Sequence, residues 1–227
     1  MIWADTGFLL SKTSFQENSV IAVFFTKKHG KCSGIIYGAT SKKIKNYLQN
    51  GNELYLEYHS KNDSTLGYFK IEIINPFTSK YFYEKKKLTC IVSMVDLIKI
   101  LTVDGQESNE IYNLLKKFFI IMHNQNWEID YVFWELLLLK YIGFDLNISN
   151  FCKYDSTLND KKRYFIENSS KKLIVPNFLV EKDENDISDR DIFNALILIS
   201  EYMKKNIFLP NNLNIPLSRQ NFINNFK

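Results

Sequence analysis

The chain has 227 residues, of which 45% are hydrophobic and 24% charged, and both fractions match the averages of globular proteins. This apolar content excludes an intrinsically disordered chain, and counts of only 8 glycines and 4 prolines exclude collagen-like, linker-like or low-complexity material. The length allows one large domain or two small ones, and the net charge of +4 is too modest to select a class of partner.

Basic residues are concentrated on the N-terminal side. Residues 1–87 hold thirteen lysines and seven acidic residues, whereas the remainder holds sixteen basic and eighteen acidic residues. If a polyanion is bound, we therefore expect it to contact the first third of the chain. Lysine outnumbers arginine 26 to 3, however, and this bias weakens the evidence that a single lysine cluster provides.

Short strands separated by turns are predicted over the first 75 residues, because β-branched and aromatic runs alternate with lysine, glycine, asparagine and serine clusters. The predicted strands cover residues 2–11, 20–26, 31–37, 54–59 and 68–74, with a polar loop at 12–19 and a lysine-rich connection at 40–52. Five strands with one longer connection after the third are typical of a Greek-key barrel of the OB type. A sandwich or an open sheet of five strands is the alternative on pattern alone.

Helical periodicity replaces the strand pattern after Pro76. The predicted helices cover residues 81–103, 110–123, 131–142, 191–206 and 216–226, and the third is apolar nearly all round. Glu135 lies in that buried helix, so its carboxylate needs a partner, and we expect an ion pair or a capping contact. Residues 147–186 are polar and are predicted to form an irregular, zinc-less insertion with one β-like piece at 164–166.

The predicted fold class is therefore α+β: a five-stranded OB-fold nucleic-acid-binding domain at 1–77, followed by an α-helical domain at 78–227. No run of about 18 apolar residues predicts a membrane span, and the N-terminus lacks signal-peptide features. Cys32, Cys90 and Cys152 lie too far apart for a disulfide framework or a zinc knuckle, so we expect a cytoplasmic protein without cofactors. The sequence holds no phosphate loop, carboxylate cluster or nucleophile motif, so we expect no enzyme activity.

Two lysine-rich connections of the predicted barrel supply the candidate nucleic-acid-binding residues. We expect both connections to converge on one mouth of the barrel, where ammonium groups would neutralise phosphates with little sequence preference. Interleaved tyrosines would stack exposed bases. The alternative is a solvated lysine surface with most tyrosines in the core. The predicted nucleic-acid-binding residues are Lys27, Lys28, Lys31, Lys42, Lys43, Lys45 and Tyr37.

Short segments distributed over most of the chain form an ordered set. They are Trp3-x-Asp5-x-Gly7-Phe8-x-Leu10-Ser11, Glu17-Asn18-Ser19, Phe24-Phe25-Thr26-x-x-His29-Gly30-Lys31-x-Ser33-Gly34, Tyr37-Gly38-Ala39-x-Ser41, Leu48-Gln49-x-Gly51-Asn52, Tyr131-x-x-Trp134-Glu135, Gly143-Phe144-x-Leu146 and, more loosely, Leu217-Ser218-Arg219. In this order and spacing, the set resembles the RecO family of bacterial DNA repair proteins.

The resemblance implies an OB fold with a helical domain, binding of single- and double-stranded DNA, annealing of complementary strands, and help in loading recombinase onto strands coated by single-strand-binding protein. The implied partners are RecR, the acidic C-terminal tail of single-strand-binding protein and, indirectly, the recombinase RecA. The implied location is the bacterial cytoplasm, in association with the nucleoid. An OB-fold protein–protein adaptor or an RNA-binding protein without annealing activity remains the alternative.

The chain also departs from the family pattern. Some members carry a four-cysteine zinc site after the central helix, but only Cys152 is present here, so we expect no zinc. Lysines stand near the barrel turns where relatives usually have arginines, which keeps phosphate attraction and puts bidentate contacts in doubt. Lys116 and Lys117 beside Phe118 are a candidate groove edge for a short acidic peptide, although an ordinary exposed pair on an amphipathic helix is the simpler interpretation.

Overall fold

The structure is a computed structural model that describes residues 1–62, 65–148, 152–155, 163–168, 171–181 and 187–227. Packing divides the chain into two compact units, Met1–Phe119 and Ile120–Lys227. Over the described residues, no helix is both long and apolar enough to cross a bilayer. The same residues contain no group of three or more His, Cys, Asp or Glu side chains that could hold a metal ion.

Five strands build the first unit and close into a barrel. They are β1 (Ile2–Gln16), β2 (Ser19–Thr26), β3 (Gly30–Tyr37), β4 (Glu53–His59) and β5 (Tyr68–Asn75), and helix α1 (Lys42–Tyr47) connects β3 to β4. The strand order is β1-β2-β3-β5-β4, and β4 pairs back with β1. All pairs are antiparallel except β3 with β5, which meet in parallel at Ile35 and Tyr68. This topology confirms the predicted OB fold.

Side chains that alternate along each strand fill the barrel interior. The buried members of this core are Leu9, Ala22, Phe24, Ile36, Ala39, Leu48, Leu54, Leu56, Phe69 and Ile71. Ala39 and Leu48 flank α1, and Ile44 and Tyr47 of α1 pack against the same core. Helix α1 therefore covers one end of the barrel.

Strand β1 is longer than predicted. The sequence predicts a loop at 12–19, but β1 continues to Gln16 and pairs with β2 as far as the Gln16–Ser19 pair. Residues 12–16 are exposed in this hairpin. Because neither of their faces is buried, they lack the apolar alternation by which a strand is recognised.

Two helices of the first unit pack against the barrel. After a 3₁₀ turn (Thr78–Tyr81) come α2 (Lys85–Leu101) and α3 (Asn109–Ile121). The Phe119 ring stacks on Phe77 with 4.1 Å between centroids and on Phe8 with 5.9 Å. The division by packing thus falls in the last turn of α3, between Phe119 and Ile120, and the domain boundary at residue 77 stays a prediction about sequence domains.

A buried carboxylate joins the barrel to α3. Glu53 is 3% exposed and accepts hydrogen bonds from Asn75 Nδ2 at 2.6 Å and from the Tyr112 hydroxyl at 2.9 Å. The Tyr112 hydroxyl also lies 2.7 Å from Thr6 Oγ1, and Lys116 Nζ lies 3.5 Å from Glu53 Oε1. Burial, and to a smaller extent the Glu53 charge, raise the pKa of Tyr112, so its phenol stays protonated and donates.

The second unit is built around helix α4 (Trp127–Tyr141), which is buried as predicted. Further helices among the described residues are α5 (Phe178–Glu181), α6 (Asp189–Met203), a π-helical turn (Lys204–Phe208), α7 (Leu217–Ile223) and a 3₁₀ turn (Asn224–Phe226). The fully buried Arg219 guanidinium pairs with Glu135 and donates to Ser200 Oγ at 2.9 Å and to the Leu196 carbonyl at 3.2 Å. The predicted buried partner of Glu135 is thereby confirmed.

A small antiparallel sheet lies in the region predicted as an irregular insertion. Its strands are β6 (Lys153–Asp155), β7 (Arg163–Asn168) and β8 (Lys171–Val175). The predicted β-like piece at 164–166 lies within β7. The sequence did not predict β6 and β8, because strands this short and rich in charged residues show no apolar alternation. Residues 149–151, 156–162, 169–170 and 182–186 of the predicted insertion lie outside the described residues.

Gly30 and Gly38, which lie at the two ends of β3, form a matched pair for testing the close approach of the Gln106 loop to the β2–β3 turn. Both have a positive φ (61° and 68°), but a Cβ at residue 30 would overlap the Gln106 backbone, whereas nothing lies within 4 Å of a Cβ at residue 38. We expect Gly38→Ala to lower the free energy of unfolding by about 1–2 kcal/mol, the strain of the left-handed conformation. Gly30→Ala should lower it further, since the Gln106 loop must move. Urea unfolding measures both, and equal losses would contradict the close approach.

The Glu135–Arg219 pair predicts a second stability difference. Arg219→Met leaves the buried Glu135 carboxylate without its cation, and we expect a loss of about 3–5 kcal/mol in urea unfolding. The Glu135→Leu/Arg219→Met double variant should recover most of this loss, because no charge remains buried. A double variant no more stable than Arg219→Met would show that packing, rather than charge pairing, dominates this site.

Candidate nucleic-acid interface

Four exposed lysines lie on or beside α1 at one end of the barrel. Lys12 comes from β1, and Lys42, Lys43 and Lys45 come from α1; we call this group the α1 lysine cluster. The Lys12 ammonium donates to the Leu48 carbonyl at the end of α1. Partial burial lowers the pKa of the Lys12 ammonium, and the positive charge of Lys45 lowers it further. A bound phosphate would relieve the repulsion between these two ammonium groups.

The local sequence explains why the α1 lysines face outward. Ser41 caps the helix, and its Oγ accepts a hydrogen bond from the Ile44 amide at 3.4 Å. Ile44 and Tyr47 are three residues apart and pack their shared face against the barrel core. The lysines occupy the remaining faces, and Lys43 Nζ lies 5.9 Å from the centroid of the Tyr47 ring.

Three aromatic rings form a row on the barrel surface next to the start of the α1 connection. Tyr37 at the end of β3, Tyr68 on β5 and His59 on β4 make up this aromatic row. The Tyr37 side chain is 56% exposed, and its ring lies 5.8 Å from the Tyr68 ring at a tilt of 56°. Tyr68 stacks on His59 with 5.0 Å between centroids. An exposed tyrosine ring of this kind is suited to stacking on an unpaired base.

Lys27 and Lys28 lie at the opposite end of β3 from α1. Both are exposed in the β2–β3 turn, before the eight-residue strand β3, which spans roughly 23 Å. The prediction that the two lysine-rich connections converge on one mouth of the barrel is therefore wrong. Connections that flank a single strand lie at its opposite ends, and the α1 end of β3 carries Tyr37, followed along the chain by the α1 lysines.

Lys31 is occupied inside the first unit. Its ammonium donates to the carbonyl oxygens of Lys99 at 2.7 Å and Thr102 at 2.6 Å, at the end of α2, and lies 3.1 Å from Asp104 Oδ1. The side chain is only 13% exposed. Lys31 therefore satisfies terminal carbonyls of α2 and joins that helix to β3, so it does not belong to the exposed lysines.

A buried carboxylate shapes the β2–β3 turn. Asp5 accepts a hydrogen bond from the Lys28 amide at 2.7 Å and lies 3.1 Å from His29 Nδ1. The His29 ring stacks on Trp3 with 3.9 Å between centroids. These contacts fix the turn at its end of the barrel, away from the α1 lysine cluster.

The three residues predicted to bind a protein partner do not form an exposed groove edge. Phe118 is 0% exposed, so it has no surface to offer. Lys116 lies over the Tyr112 ring at 5.3 Å and reaches the buried Glu53 carboxylate. Lys117 is exposed on α3. Burial of the aromatic residue, which the helical periodicity already favours, overturns the groove assignment.

Sequence reasoning did not place Lys12 or His59 in the candidate interface, and it considered Tyr68 only as one of several interleaved tyrosines. Lys12 falls in the predicted loop, and only the pairing of β1 with β2 brings it to α1. Tyr68 and His59 pair directly across β4 and β5. His59 ends one predicted strand and Tyr68 begins the next. Had the two strands been paired as a hairpin, the sequence would have predicted that these two rings are neighbours.

Comparison with known families covers most of the chain. The model of the recombination protein O N-terminal domain matches residues 1–77, and the model of its C-terminal domain matches residues 84–185. The chain belongs to the RecO family. Its curated relatives include DNA repair protein RecO of Wolbachia pipientis subsp. Culex pipiens (strain wPip), 30% identical over 66% of this chain, and that of Bartonella quintana (strain Toulouse), 24% identical over 100% of it.

RecO of Ehrlichia chaffeensis (strain ATCC CRL-10679 / Arkansas) is 31% identical over 69% of this chain. The matches span 62% of the Wolbachia relative, 64% of the Ehrlichia relative and 98% of the Bartonella relative. Several residues of the RecO-like segments have structural roles. Asp5 and His29 shape the β2–β3 turn, and Gly51 adopts a φ of 90° where a Cβ would crowd Ile91, Thr78 and Phe119.

The aromatic row predicts a difference between single-stranded and duplex DNA. We expect Tyr37→Ala/Tyr68→Ala to weaken binding of a mixed-sequence single strand by about 1–3 kcal/mol per lost stacking contact, with little change for a duplex, whose bases are already stacked. Fluorescence anisotropy with labelled oligonucleotides measures both affinities. Tyr55→Ala removes an exposed ring of β4 outside the row and is the matched control. Equal losses for both DNA forms would contradict stacking.

Proposed function

We propose that the protein is a DNA repair and recombination mediator that binds single- and double-stranded DNA and anneals complementary strands. The observation that carries this proposal is the α1 lysine cluster beside the aromatic row on an OB barrel. Ammonium groups are complementary to phosphates, and exposed rings are complementary to unpaired bases. Membership of the RecO family supports the same function.

The proposed annealing step is physical. Two approaching strands repel each other through their phosphates, and a cationic surface reduces this repulsion at separations near the Debye length, about 8–10 Å at moderate salt. Lysines attract the backbone as point charges and do not read base edges, so the bases of a bound strand stay accessible for pairing. No covalent step is needed, and the proposal is therefore non-enzymatic.

The proposed partners follow from the family. They are RecR, the acidic C-terminal tail of single-strand-binding protein and, through loading onto coated strands, the recombinase RecA. The net positive charge of the chain favours an acidic tail. Lys27 and Lys28 stay predicted DNA contacts at the other end of β3, where they would touch a strand separately from the α1 lysine cluster.

A charge reversal in α1 tests the proposal. Lys42→Glu/Lys43→Glu should weaken binding of all single-stranded sequences alike, and the slope of log affinity against log salt should become shallower by about one unit for each lost phosphate contact. Anisotropy over a salt series measures both quantities, and a fluorescence assay measures strand annealing.

Lys204→Glu/Lys205→Glu reverses two exposed lysines of the second unit and is the charge-matched control. Unchanged affinity and salt slope in the Lys42/Lys43 variant would refute the α1 assignment. Tighter binding of RNA than of DNA of the same sequence would favour an RNA-binding protein, because the 2′-hydroxyl distinguishes the two. Absence of nucleic-acid binding even at low salt would favour a protein–protein adaptor.

A further inference from the structure

A second basic and aromatic surface lies at the junction of the two RecO family matches, the first of which ends at residue 77 and the second of which begins at residue 84. Lys80, Phe82, Tyr83 and Lys85 are all exposed, and we call them the linker patch. Tyr83 is fully exposed and Phe82 is 53% exposed. Two adjacent exposed aromatic rings form a contiguous apolar surface, and such surfaces are typical of binding sites.

The linker patch is connected to the α1 lysine cluster through one loop. Asn52 Nδ2 donates to the Tyr47 carbonyl of α1 at 3.1 Å, and Asn52 Oδ1 accepts from the Thr78 amide at 3.2 Å. Thr78 Oγ1 also donates to the Asn50 carbonyl at 2.6 Å. Residues 49–52 thus follow α1 directly and hold the start of the segment that carries the linker patch.

The charges of the segment match a polyanion. Lys80 Nζ lies 5.5 Å from the centroid of the Phe77 ring, which fixes one ammonium beside the 3₁₀ turn. Lys85, Lys86 and Lys87 form the first turn of α2, and Lys87 is neutralised by Glu84 at 2.8 Å. Lys80 and Lys85 flank the two exposed rings, and this combination of cations and aromatic rings is suited to binding single-stranded nucleic acid.

We propose that the linker patch is a second contact for the same single strand that the α1 lysine cluster binds, with Phe82 and Tyr83 stacking on its bases. This inference rests on the proposed function and extends it from one end of the barrel across the 49–52 loop. The occupant is a single strand because duplex bases offer no free face to the rings, while the lysines on either side supply the phosphate contacts.

Length-dependent binding tests the inference. Wild type and the Phe82→Ala/Tyr83→Ala variant are titrated with labelled oligothymidylates of increasing length. We expect equal affinities for short oligomers that fill only the α1 lysine cluster, and a loss of about tenfold or more for longer ones, since each stacked ring contributes roughly that factor. Tyr141→Ala/Ile174→Ala removes two exposed apolar side chains of the second unit and is the matched control.

Photo-crosslinking of the wild-type protein gives an answer that does not depend on a variant folding. A long oligomer containing 5-iodouracil should crosslink to Phe82 or Tyr83, and peptide mass spectrometry should find the adduct. Unchanged affinity at every length together with no adduct in the segment would overturn the inference. Loss of binding to an acidic peptide in the variant, with DNA affinity unchanged, would overturn it too and assign the patch to a protein.

The two proposals fail in different ways. If Lys42→Glu/Lys43→Glu weakens DNA binding and the Phe82/Tyr83 variant does not, only the second contact is lost. If the Phe82/Tyr83 variant weakens binding of long oligomers and the Lys42/Lys43 variant does not, the α1 assignment fails, and the linker patch is a contact for single strands but not a second one beside α1. If the wild type binds no single strand, both fall.

Discussion

Closure of the barrel depends on β1 pairing with two neighbours along different parts of its length. Residues 2–8 pair with β4, residues 7–16 pair with β2, and the register shifts between Leu9 and Ser11 where the two partners exchange. A bulge of this kind bends and twists a strand, which a single strand needs in order to serve both sides of a small barrel. The half of β1 that does not pair with β4 forms a hairpin with β2, and this hairpin brings Lys12 to α1.

Closure of the barrel also places the charged residues of the two lysine-rich connections at two different ends of the barrel. At the β2–β3 turn, the carboxylates of Asp5 and Asp104 lie beside the basic residues, and the Lys31 ammonium is hydrogen-bonded to carbonyl oxygens at the end of α2. At the α1 end, lysines stand on a helix whose apolar side is already used to cover the barrel core. The proposed interface therefore depends on which end of the barrel each connection reaches, and the number of lysines near a turn does not identify it.

The fold was largely predictable because its signals are local. Five short apolar runs, the long connection after the third and the periodicity after Pro76 indicate the OB barrel and its helices without any long-range information. The interface was less predictable because its contacts are distant in sequence. The Lys12 ammonium donates to the Leu48 carbonyl, and the Lys31 ammonium donates to the Thr102 carbonyl. Both contacts depend on strand register and helix packing. The strands β6 to β8 are too short and polar to carry a periodic signal.

The Glu53 carboxylate determines where this chain can be cut. A fragment ending at residue 77 would keep Glu53 but lose the Tyr112 hydroxyl that donates to it, and it would leave Phe8 without its Phe119 neighbour. An acidic group deprived of a buried donor, beside an uncovered apolar surface, favours self-association over a monomeric barrel. A fragment that extends through residue 119 retains both contacts, so the smallest autonomous piece for isolated study is larger than the N-terminal family match.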